Sequence, residues 1–412
     1  MAQTLIVHAT ELFDGISKVS DCTVEIKNGK INSISKGKPK RSDVKGVVTP
    51  ALIDAHSHIG MFRAGEPEGE SEGNDTLQQI SPLSDPLKSV YFDDQAFQDA
   101  VDFGVLYSCI MPGSGNLFGG RTRIIKNFAR HKGEALARDY GFKMALGFNP
   151  RSTTGWRGER PNTRMGIYAM LERRFDEVLA KERRAELARE KKTAELAAKK
   201  DLAKKDRAQQ EKLIEREFEL DFNQEDKALL EALHGKKPIK VHVHKEDDVI
   251  YLLELVEKYG LRVTAEHMGD VWHKEIYELV AEKRIPIVFG PLGSHAYKVE
   301  LKHDYYQNAK LLMDSGAMFG LMTDHPVIHV THLRDSLKYF LIHGMGEAEA
   351  IGVITRRNAE ILGMDSELGV LSAGKPATFL VWDGNPLHLA SMPRFVMAEG
   401  RVLRSQEGFK AG

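Results

Sequence analysis

The sequence is poor in cysteine and in net charge, and it has no long apolar run. Its 412 residues include only Cys22 and Cys109, too few for a disulfide framework and typical of a reducing compartment. Acidic and basic residues number 59 and 58, so no overall field favours nucleic acid or an anionic membrane. No apolar run approaches the ~20 residues of a membrane helix, and the first residues lack the basic start of a signal peptide. We therefore expect a cytoplasmic protein that binds neither nucleic acid nor a membrane.

The sequence does contain an ordinary hydrophobic share, 42%, in a chain long enough for more than one domain. Residues 1–50 consist of short strand-like runs and turns, with a hairpin signal at Asn28-Gly29. Residues 366–412 have the same texture, with a second hairpin signal at Glu399-Gly400. We therefore expect the two ends to form one small β-sandwich domain together.

Between these ends, residues 51–365 alternate short apolar strands with helix-like segments. Examples are "PIKVHVH" followed by "DVIYLLELVEKYG", and "LRVTAEH" followed by "KEIYELVAEKR". Such alternation is typical of parallel βα units, and about eight units fit into this length. The expected fold class is therefore α/β, a (β/α)8 TIM barrel that carries the small β domain.

A highly charged segment, at about residues 171–235, interrupts the alternation. Up to about Phe218 it is almost entirely Ala, Leu, Glu, Lys and Arg, which are strong helix formers. Charges of both signs are interleaved, so we expect one or two solvent-exposed helices inserted into the barrel. A coiled coil that binds a partner or a second copy is the alternative. Nucleic-acid binding is disfavoured because acids accompany the bases throughout.

Side chains that can bind a metal stand at the ends of the expected barrel strands. In "LIDAHSH", strand alternation places Asp54, His56 and His58 on one face. Later strand ends carry Lys143, His242, His244, His267 and Asp324. The active sites of such barrels lie at the carboxyl ends of the strands. Nitrogen and oxygen ligands gathered at one mouth favour a divalent ion such as zinc.

Taken in order, these motifs resemble those of the metal-dependent amidohydrolase superfamily, in particular its imidazolonepropionase-related branch. The resemblance rests on "TPALIDAHSHIG", "HVHK", "EHMGD", "GPLGSHAYK", "TDHP" and the later segment "GVLSAGKPATFLVWDGNPL". It covers essentially the whole chain except the charged segment.

The resemblance implies a metal ligand set, which is His56, His58, Lys143, His242, His267 and Asp324. The first two histidines and Asp324 would hold the more buried ion, and His242 and His267 would serve a second ion. With a single ion, His267 would instead orient the attacking water. Lys143 matches a lysine that some members carboxylate to bridge two ions. The implied cofactor is therefore one or two divalent ions, zinc in the first place, with a carboxylated lysine as an option.

The chain departs from its closest resemblance at the end of the fourth strand. Close relatives of the branch carry Glu-Asn where this sequence has Phe148-Asn149. The missing carboxylate leaves open whether the metal count or a substrate contact differs. Further candidate substrate contacts are Asn116, Arg121, His244, His295 and Tyr297.

The implied reaction is hydrolysis of a C–N bond in an amide, cyclic amide or dipeptide by a metal-activated hydroxide. Asp324 would take a proton from the water and pass it to the leaving nitrogen, with His267 as the second catalytic residue. One alternative is a deaminase of aminoheterocycles with a single metal, which a metal count distinguishes. Another is a non-enzymatic assembly protein on the same scaffold, which retention of all expected ligands argues against. The partner would be a small molecule, and a homo-oligomer is left open.

Overall fold

The computed structural model of the chain describes residues 4–62, 71–152, 158–294 and 298–406. Within these residues the strands form a seven-stranded sheet and an eight-stranded sheet. The strands are β1 (Thr4–Phe13), β2 (Lys18–Lys27), β3 (Lys30–Lys36), β4 (Val44–Pro50), β5 (Leu52–Ser57), β6 (Val105–Ile110), β7 (Phe118–Lys126), β8 (Leu136–Ala145), β9 (Ile239–Lys245), β10 (Val263–Asp270), β11 (Ile287–Phe289), β12 (Phe319–Leu321), β13 (Phe379–Trp382), β14 (Pro393–Ala398) and β15 (Arg401–Ser405).

Helices connect most of the barrel strands. They are α1 (Gln95–Asp102), α2 (Lys132–Ala135), α3 (Asn149–Ser152), α4 (Arg164–Ala198), α5 (Lys204–Leu220), α6 (Gln224–Leu233), α7 (Glu246–Tyr259), α8 (Lys274–Glu282), α9 (Asn308–Asp314), α10 (Lys338–Leu341), α11 (Glu347–Gly352) and α12 (Asn358–Ile361). None of the helices within the described ranges is long and apolar enough to cross a bilayer.

Strands from both ends of the chain form the smaller sheet. Its order is β15-β14-β13-β4-β1-β2-β3, so that β4 lies between β1 and β13. Both hairpin turns are found where the sequence predicts them. Asn28 and Gly29 between β2 and β3, and Glu399 and Gly400 between β14 and β15, all have positive φ, as two-residue hairpin loops require. The expected joint domain of the two termini is confirmed in this form.

The larger sheet is the barrel, and one of its strands runs against its neighbours. The pairs β5–β6, β8–β9, β9–β10, β10–β11 and β11–β12 are parallel, whereas β7 is antiparallel to both β6 and β8. The expectation of about eight parallel units is therefore wrong at β7. Residues 111–117 and 127–135 join β7 to its neighbours, and connections this short suit antiparallel pairing, whereas parallel crossovers need a dozen residues or more.

The barrel closes where β5 meets β12. The carboxylate of Asp54 accepts hydrogen bonds from the backbone N–H of Thr323, at 3.1 Å, and from its hydroxyl. The amide of Asn358 donates to the carbonyls of Ile53 and Leu321, at 2.6 and 2.9 Å, and accepts from the N–H of Leu321 at 3.1 Å. Two buried polar side chains thus stabilise this junction.

The charged segment is only partly an insertion. Ile167, Leu171, Phe175 and Val178 on the first half of α4 are fully buried in the barrel's helical layer. The second half of α4 then extends outward and pairs with α5, with cross-helix ion pairs such as Lys192–Glu217 at 2.7 Å. The expected start of exposed helix at about residue 171 is therefore too early, because these apolar side chains repeat at helical spacing and belong to the core.

We expect Asn358→Ala to lower the free energy of unfolding by about 3 kcal/mol, because it leaves buried backbone groups of β5 and β12 without partners. The urea midpoint measures this loss. Asn32→Ala, which removes an exposed side-chain contact to Glu25, is the control and should change stability by less than about 0.5 kcal/mol. An unchanged midpoint for Asn358→Ala would show that the amide does not stabilise the junction.

We expect the outer part of the α4–α5 hairpin to be dispensable for the barrel. Residues 187–216 can be replaced by a Gly/Ser linker of about four residues, because packed helices lie only ~8–10 Å apart. The melting temperature and bound metal content should match those of the full chain, since the buried half of α4 is kept. A loss of metal or a change of oligomeric state in light scattering would assign the hairpin a role in the site or in assembly.

Candidate functional site

Five histidine side chains cluster at the carboxyl ends of the barrel strands. The ring centroids of His56 lie 5.3 Å from His58 and 4.9 Å from His267. Those of His242 lie 4.2 Å from His267 and 4.8 Å from His244. All five residues are buried. The structure thus brings together histidines that are far apart in sequence.

The strand backbone determines how these side chains point. On β9, alternation puts Lys240, His242 and His244 on one face, toward the barrel interior. On β10 the pairing register shifts between His267 and Asp270, and His267 has a φ of 75°. A bulge of this kind next to a site redirects a side chain that regular alternation would place elsewhere. The histidines of β9 and β10 therefore point into the same space because β10 is irregular at His267.

Asp324 reaches the histidines from the segment that follows β12. Its backbone N–H donates to the carbonyl of His56 at 3.1 Å, and its φ is 52°. One carboxylate oxygen lies 3.0 Å from Nε2 of His58 and 3.4 Å from Nε2 of His56. Burial favours the neutral acid, but the hydrogen bond to His58 and the surrounding basic groups outweigh it and bring the pKa of Asp324 to about 2. The carboxylate is therefore ionised at neutral pH.

Burial keeps most of these imidazoles neutral. It lowers the pKa of His56, His242 and His267 well below the ordinary value, and neighbouring basic groups lower it further. For His244, burial and His242 lower the pKa to about 3. A neutral imidazole has one nitrogen with a free lone pair, which is the form that binds metals.

Acceptors on the far side of three rings fix which nitrogen faces the cluster. Nδ1 of His56 lies 2.8 Å from the carboxylate of Glu266, and Nδ1 of His267 lies 3.0 Å from the carbonyl of Gly290. Nδ1 of His58 lies 2.7 Å from the carbonyl of Met111. For the neutral rings of His56 and His267, a proton on Nδ1 leaves the lone pair on Nε2. Histidine ligands of metals are oriented in this way.

Lys143 extends from β8 into the same cluster. Its side chain is fully buried, and Nζ lies 2.9 Å from Nε2 of His56. Burial disfavours the ammonium form, against the attraction of Asp324 and Glu266, and lowers the pKa of Lys143 to about 8. The predicted position of this lysine beside the histidines is thus found.

Sequence reasoning missed a buried ion pair behind His56. Nζ of Lys240 lies 2.9 Å from one oxygen of Glu266, whose other oxygen contacts His56, and both side chains are fully buried. The alternation that singled out His242 would also have identified Lys240 as inward-facing. Alternation did not identify Glu266, because adjacent residues of a regular strand face opposite sides and His267 was expected to face the site. The bulge in β10 allows both side chains to face inward.

Glu300 is a second residue that the sequence reasoning missed. It lies in the irregular segment between β11 and α9 and is 1% exposed. One oxygen accepts from the backbone N–H of Phe148 at 2.9 Å. The other lies 3.5 Å from Nε2 of His242 and 4.0 Å from Nε2 of His244. No periodic pattern could have identified a side chain outside regular structure.

Two of the remaining predicted substrate contacts, Arg121 and Asn116, are not brought to the cluster. Arg121 pairs with Phe142 across β7 and β8, and its guanidinium lies over that ring. Because Lys143 next to Phe142 faces inward, Arg121 lies on the outer face, and its predicted substrate role is not supported. The amide of Asn116 donates to the carbonyls of residues 75 and 78, so it holds a loop. His295 and Tyr297 lie outside the described residues.

Among the described residues, two groups of side chains have the spacing to hold a divalent ion. Within His56, His267 and Asp324, and within His242, His244 and His267, the possible ligand atoms lie within 4.8 Å of one another. In the described part of the chain, Nε2 of His267 and Nε2 of His244 have no hydrogen-bond partner. Buried polar atoms without partners are costly, and a bound cation would satisfy them. The donor types, imidazole nitrogen and carboxylate oxygen, suit zinc.

The fold and this cluster define a barrel of the amidohydrolase kind. The sequence profile of the amidohydrolase family matches residues 155–404, more than half of the 412 residues, and the chain belongs to that family. The superfamily expected from the sequence is thereby confirmed, whereas the imidazolonepropionase-related branch stays a prediction.

Individual relatives agree with this assignment. The chain is 27% identical over 367 residues to "Amidohydrolase tasK" of Hapsidospora irregularis, an alignment that covers 86% of this chain and 36% of that protein. The chain thus spans about a third of the length of this curated relative.

Several solved structures with the same fold cover nearly the whole chain. An amidohydrolase from Thermotoga maritima MSB8 superposes with a TM-score of 0.84 at 27% identity, over 98% of this chain and all of that one. A prolidase complexed with N-methylphosphonate-L-proline superposes with a TM-score of 0.59 at 14% identity, over 98% and 100%. The second likeness concerns the fold alone.

We expect Glu266→Gln to weaken zinc binding about 10- to 100-fold, because it removes the charge that orients His56. Equilibrium dialysis with zinc analysis measures the effect. The double variant Lys240→Met/Glu266→Gln removes the unpaired lysine charge as well, and it should show the same weakening with a smaller loss of melting temperature. Unchanged zinc affinity in both variants would mean that Glu266 has no influence on His56 as a ligand.

Proposed function

We propose that the protein is a metal-dependent hydrolase of C–N bonds in amides, cyclic amides or dipeptides. The observation that carries the proposal is the convergence of buried Nε2 atoms, oriented from behind, on the ionised carboxylate of Asp324. His56, His58 and Asp324 would hold one ion, and His242 and His267 would contribute to a second. We propose zinc because the donor set is imidazole and carboxylate.

A divalent ion held by these residues would supply a nucleophile at neutral pH, because such ions lower the pKa of water to about 7. Residues of the chain would transfer the protons and orient the reacting groups. Asp324 is ionised and can accept a proton from the water, then deliver it to the leaving nitrogen. The Nε2 atom of His267 faces the same space and can orient the water or the substrate carbonyl. Burial of these groups strengthens each electrostatic contact that they make.

Lys143 is proposed as a carboxylated lysine that joins the two ion positions. Its amine would add carbon dioxide to form a carbamate, with release of one proton. That reaction requires the uncharged amine, which burial favours. A carbamate would supply two oxygens next to His56, where the amine now lies 2.9 Å from Nε2.

Two further considerations bear on the reaction class. The two relatives at 27% identity are both named as amidohydrolases. Two candidate ion positions favour amide hydrolysis over deamination, which is the alternative for a one-metal site. The substrate is proposed to be a small molecule, and the predicted cytoplasmic location and open homo-oligomeric state stay predictions.

The proposed function is tested by assaying zinc-loaded protein against dipeptides, N-acyl amino acids, cyclic amides and aminoheterocycles. We expect hydrolysis of at least one amide class, loss of activity on treatment with a chelator, and recovery with zinc. The double variant His56→Ala/His58→Ala is the control and should be inactive with less bound metal. Ammonia release from an aminoheterocycle, with every amide inert, would favour the deaminase instead.

We expect Lys143→Ala to lose one of two zinc ions and nearly all amide hydrolysis, because no group would then bridge the ion positions. Lys143→Glu should retain part of both, since it offers two oxygens from a shorter side chain. Bicarbonate should speed the reactivation of metal-stripped wild type and have no effect on Lys143→Glu. Full metal content and turnover in Lys143→Ala would rule out the bridging role.

A further inference from the structure

The carboxylate of Glu300 is buried in the site with one oxygen left without a hydrogen-bond partner among the described residues. A buried carboxylate is costly unless a hydrogen bond, an ion pair or a metal satisfies it. The backbone N–H of Phe148 satisfies only Oε2, at 2.9 Å. Oε1 is aimed at the histidines of β9.

In the described chain, one of the two imidazole nitrogens that face this oxygen has no hydrogen-bond partner, whereas the other lies 3.4 Å from the amide nitrogen of Asn149. Nε2 of His244 lies 4.0 Å from Oε1 and makes no hydrogen bond in the described chain, and Nε2 of His242 lies 3.5 Å from Oε1. Three acceptor-type atoms therefore surround one small space. Ligands that share a tetrahedral zinc ion at about 2.1 Å lie roughly 3.4 Å from one another. The distance from His242 matches this spacing, and the distance from His244 exceeds it by about 0.6 Å.

We propose that Glu300 is a ligand of the second divalent ion, which it holds together with His242 and His244. The inference rests on the proposed metal-dependent function and adds to it a residue from the segment after β11. His244, expected from the sequence to face the substrate, becomes a ligand in this arrangement. His267 lies beside both ion positions, with its ring centroid 4.7 Å from that of His244.

The local backbone accounts for the departure at Phe148. Sequence resemblance leads one to expect a glutamate at this position, at the end of the fourth strand, and the chain has none. Instead, the backbone N–H of Phe148 holds the carboxylate of Glu300 in the same region. Gly147 permits this approach, because a Cβ there would lie 3.0 Å from Oε2 of Glu300, and its φ of +83° also disfavours a side chain. A carboxylate missing from the end of one strand is thus supplied by the irregular segment that follows β11.

A different cation could occupy the same space, namely an ammonium group of the substrate. If Glu300 held such an ammonium group instead of a metal, substitution of Glu300 would leave metal binding unchanged. Metal affinity therefore distinguishes the two occupants, and activity alone does not.

The test is zinc binding by the full-length protein, measured by equilibrium dialysis with elemental analysis, together with the visible spectrum after cobalt substitution. Wild type should bind two ions. Glu300→Gln should weaken the second ion about 10- to 100-fold, leave the first unchanged, and alter the cobalt absorption of the second site. Glu300→Asp should recover part of the affinity, and it provides the comparison if Glu300→Gln does not fold.

The matched control is Asp248→Asn. Asp248 is also buried beside Gly147, but its carboxylate is paired with Arg164 at 2.8 Å. This variant should bind both ions with wild-type affinity. Wild-type affinity for both ions in Glu300→Gln, or a wild-type stoichiometry of one, overturns the inference and leaves the proposed function standing. Wild type that binds no zinc overturns the proposed function as well.

Discussion

The junction between the first and last barrel strands is the contact on which the site depends. Asp54 and Thr323 join β5 to β12 below the mouth. Just above them, the N–H of Asp324 donates to the carbonyl of His56 at 3.1 Å, and that of His58 donates to the carbonyl of residue 325 at 2.9 Å. The bonds that close the sheet are therefore the bonds that place a carboxylate between two histidines. Loss of the junction would separate the ligands as well as open the barrel.

A second constraint is that the buried histidines must be neutral, because burial disfavours the charged imidazolium form. Burial lowers the pKa of His56 and His267, and acceptors behind their rings fix Nδ1 as the protonated nitrogen. One of those acceptors, Glu266, is itself balanced by Lys240. The carboxylate that orients His56 is thus buried as part of an ion pair. The Nδ1 atoms of His56 and His267 face these acceptors, and their Nε2 atoms face the mouth of the barrel.

Much of this arrangement could be predicted from the sequence, because regular strands have a fixed side-chain period. The alternation in "LIDAHSH" and "IKVHVHK" identified most of the cluster, and Asn-Gly identified a hairpin that is present. The predictions failed where the backbone is irregular, and where the residue composition did not indicate the structure that forms. The β7 strand has two glycines and alternating arginines, so no apolar pattern marked it. The buried apolar residues of α4 are interspersed among many charged residues, so the sequence did not indicate that they are buried. Glu300 lies outside helices and strands, where side chains follow no periodic pattern.

The proposed function depends on a divalent ion bound by the histidines and Asp324. Diffraction data from crystals grown with zinc, collected on both sides of the zinc absorption edge, test it most directly. We predict an anomalous peak within bonding distance of His56, His58 and Asp324, at about 2.0–2.2 Å from their ligand atoms. The absence of any anomalous peak at the barrel mouth, in crystals that contain zinc elsewhere, would contradict it.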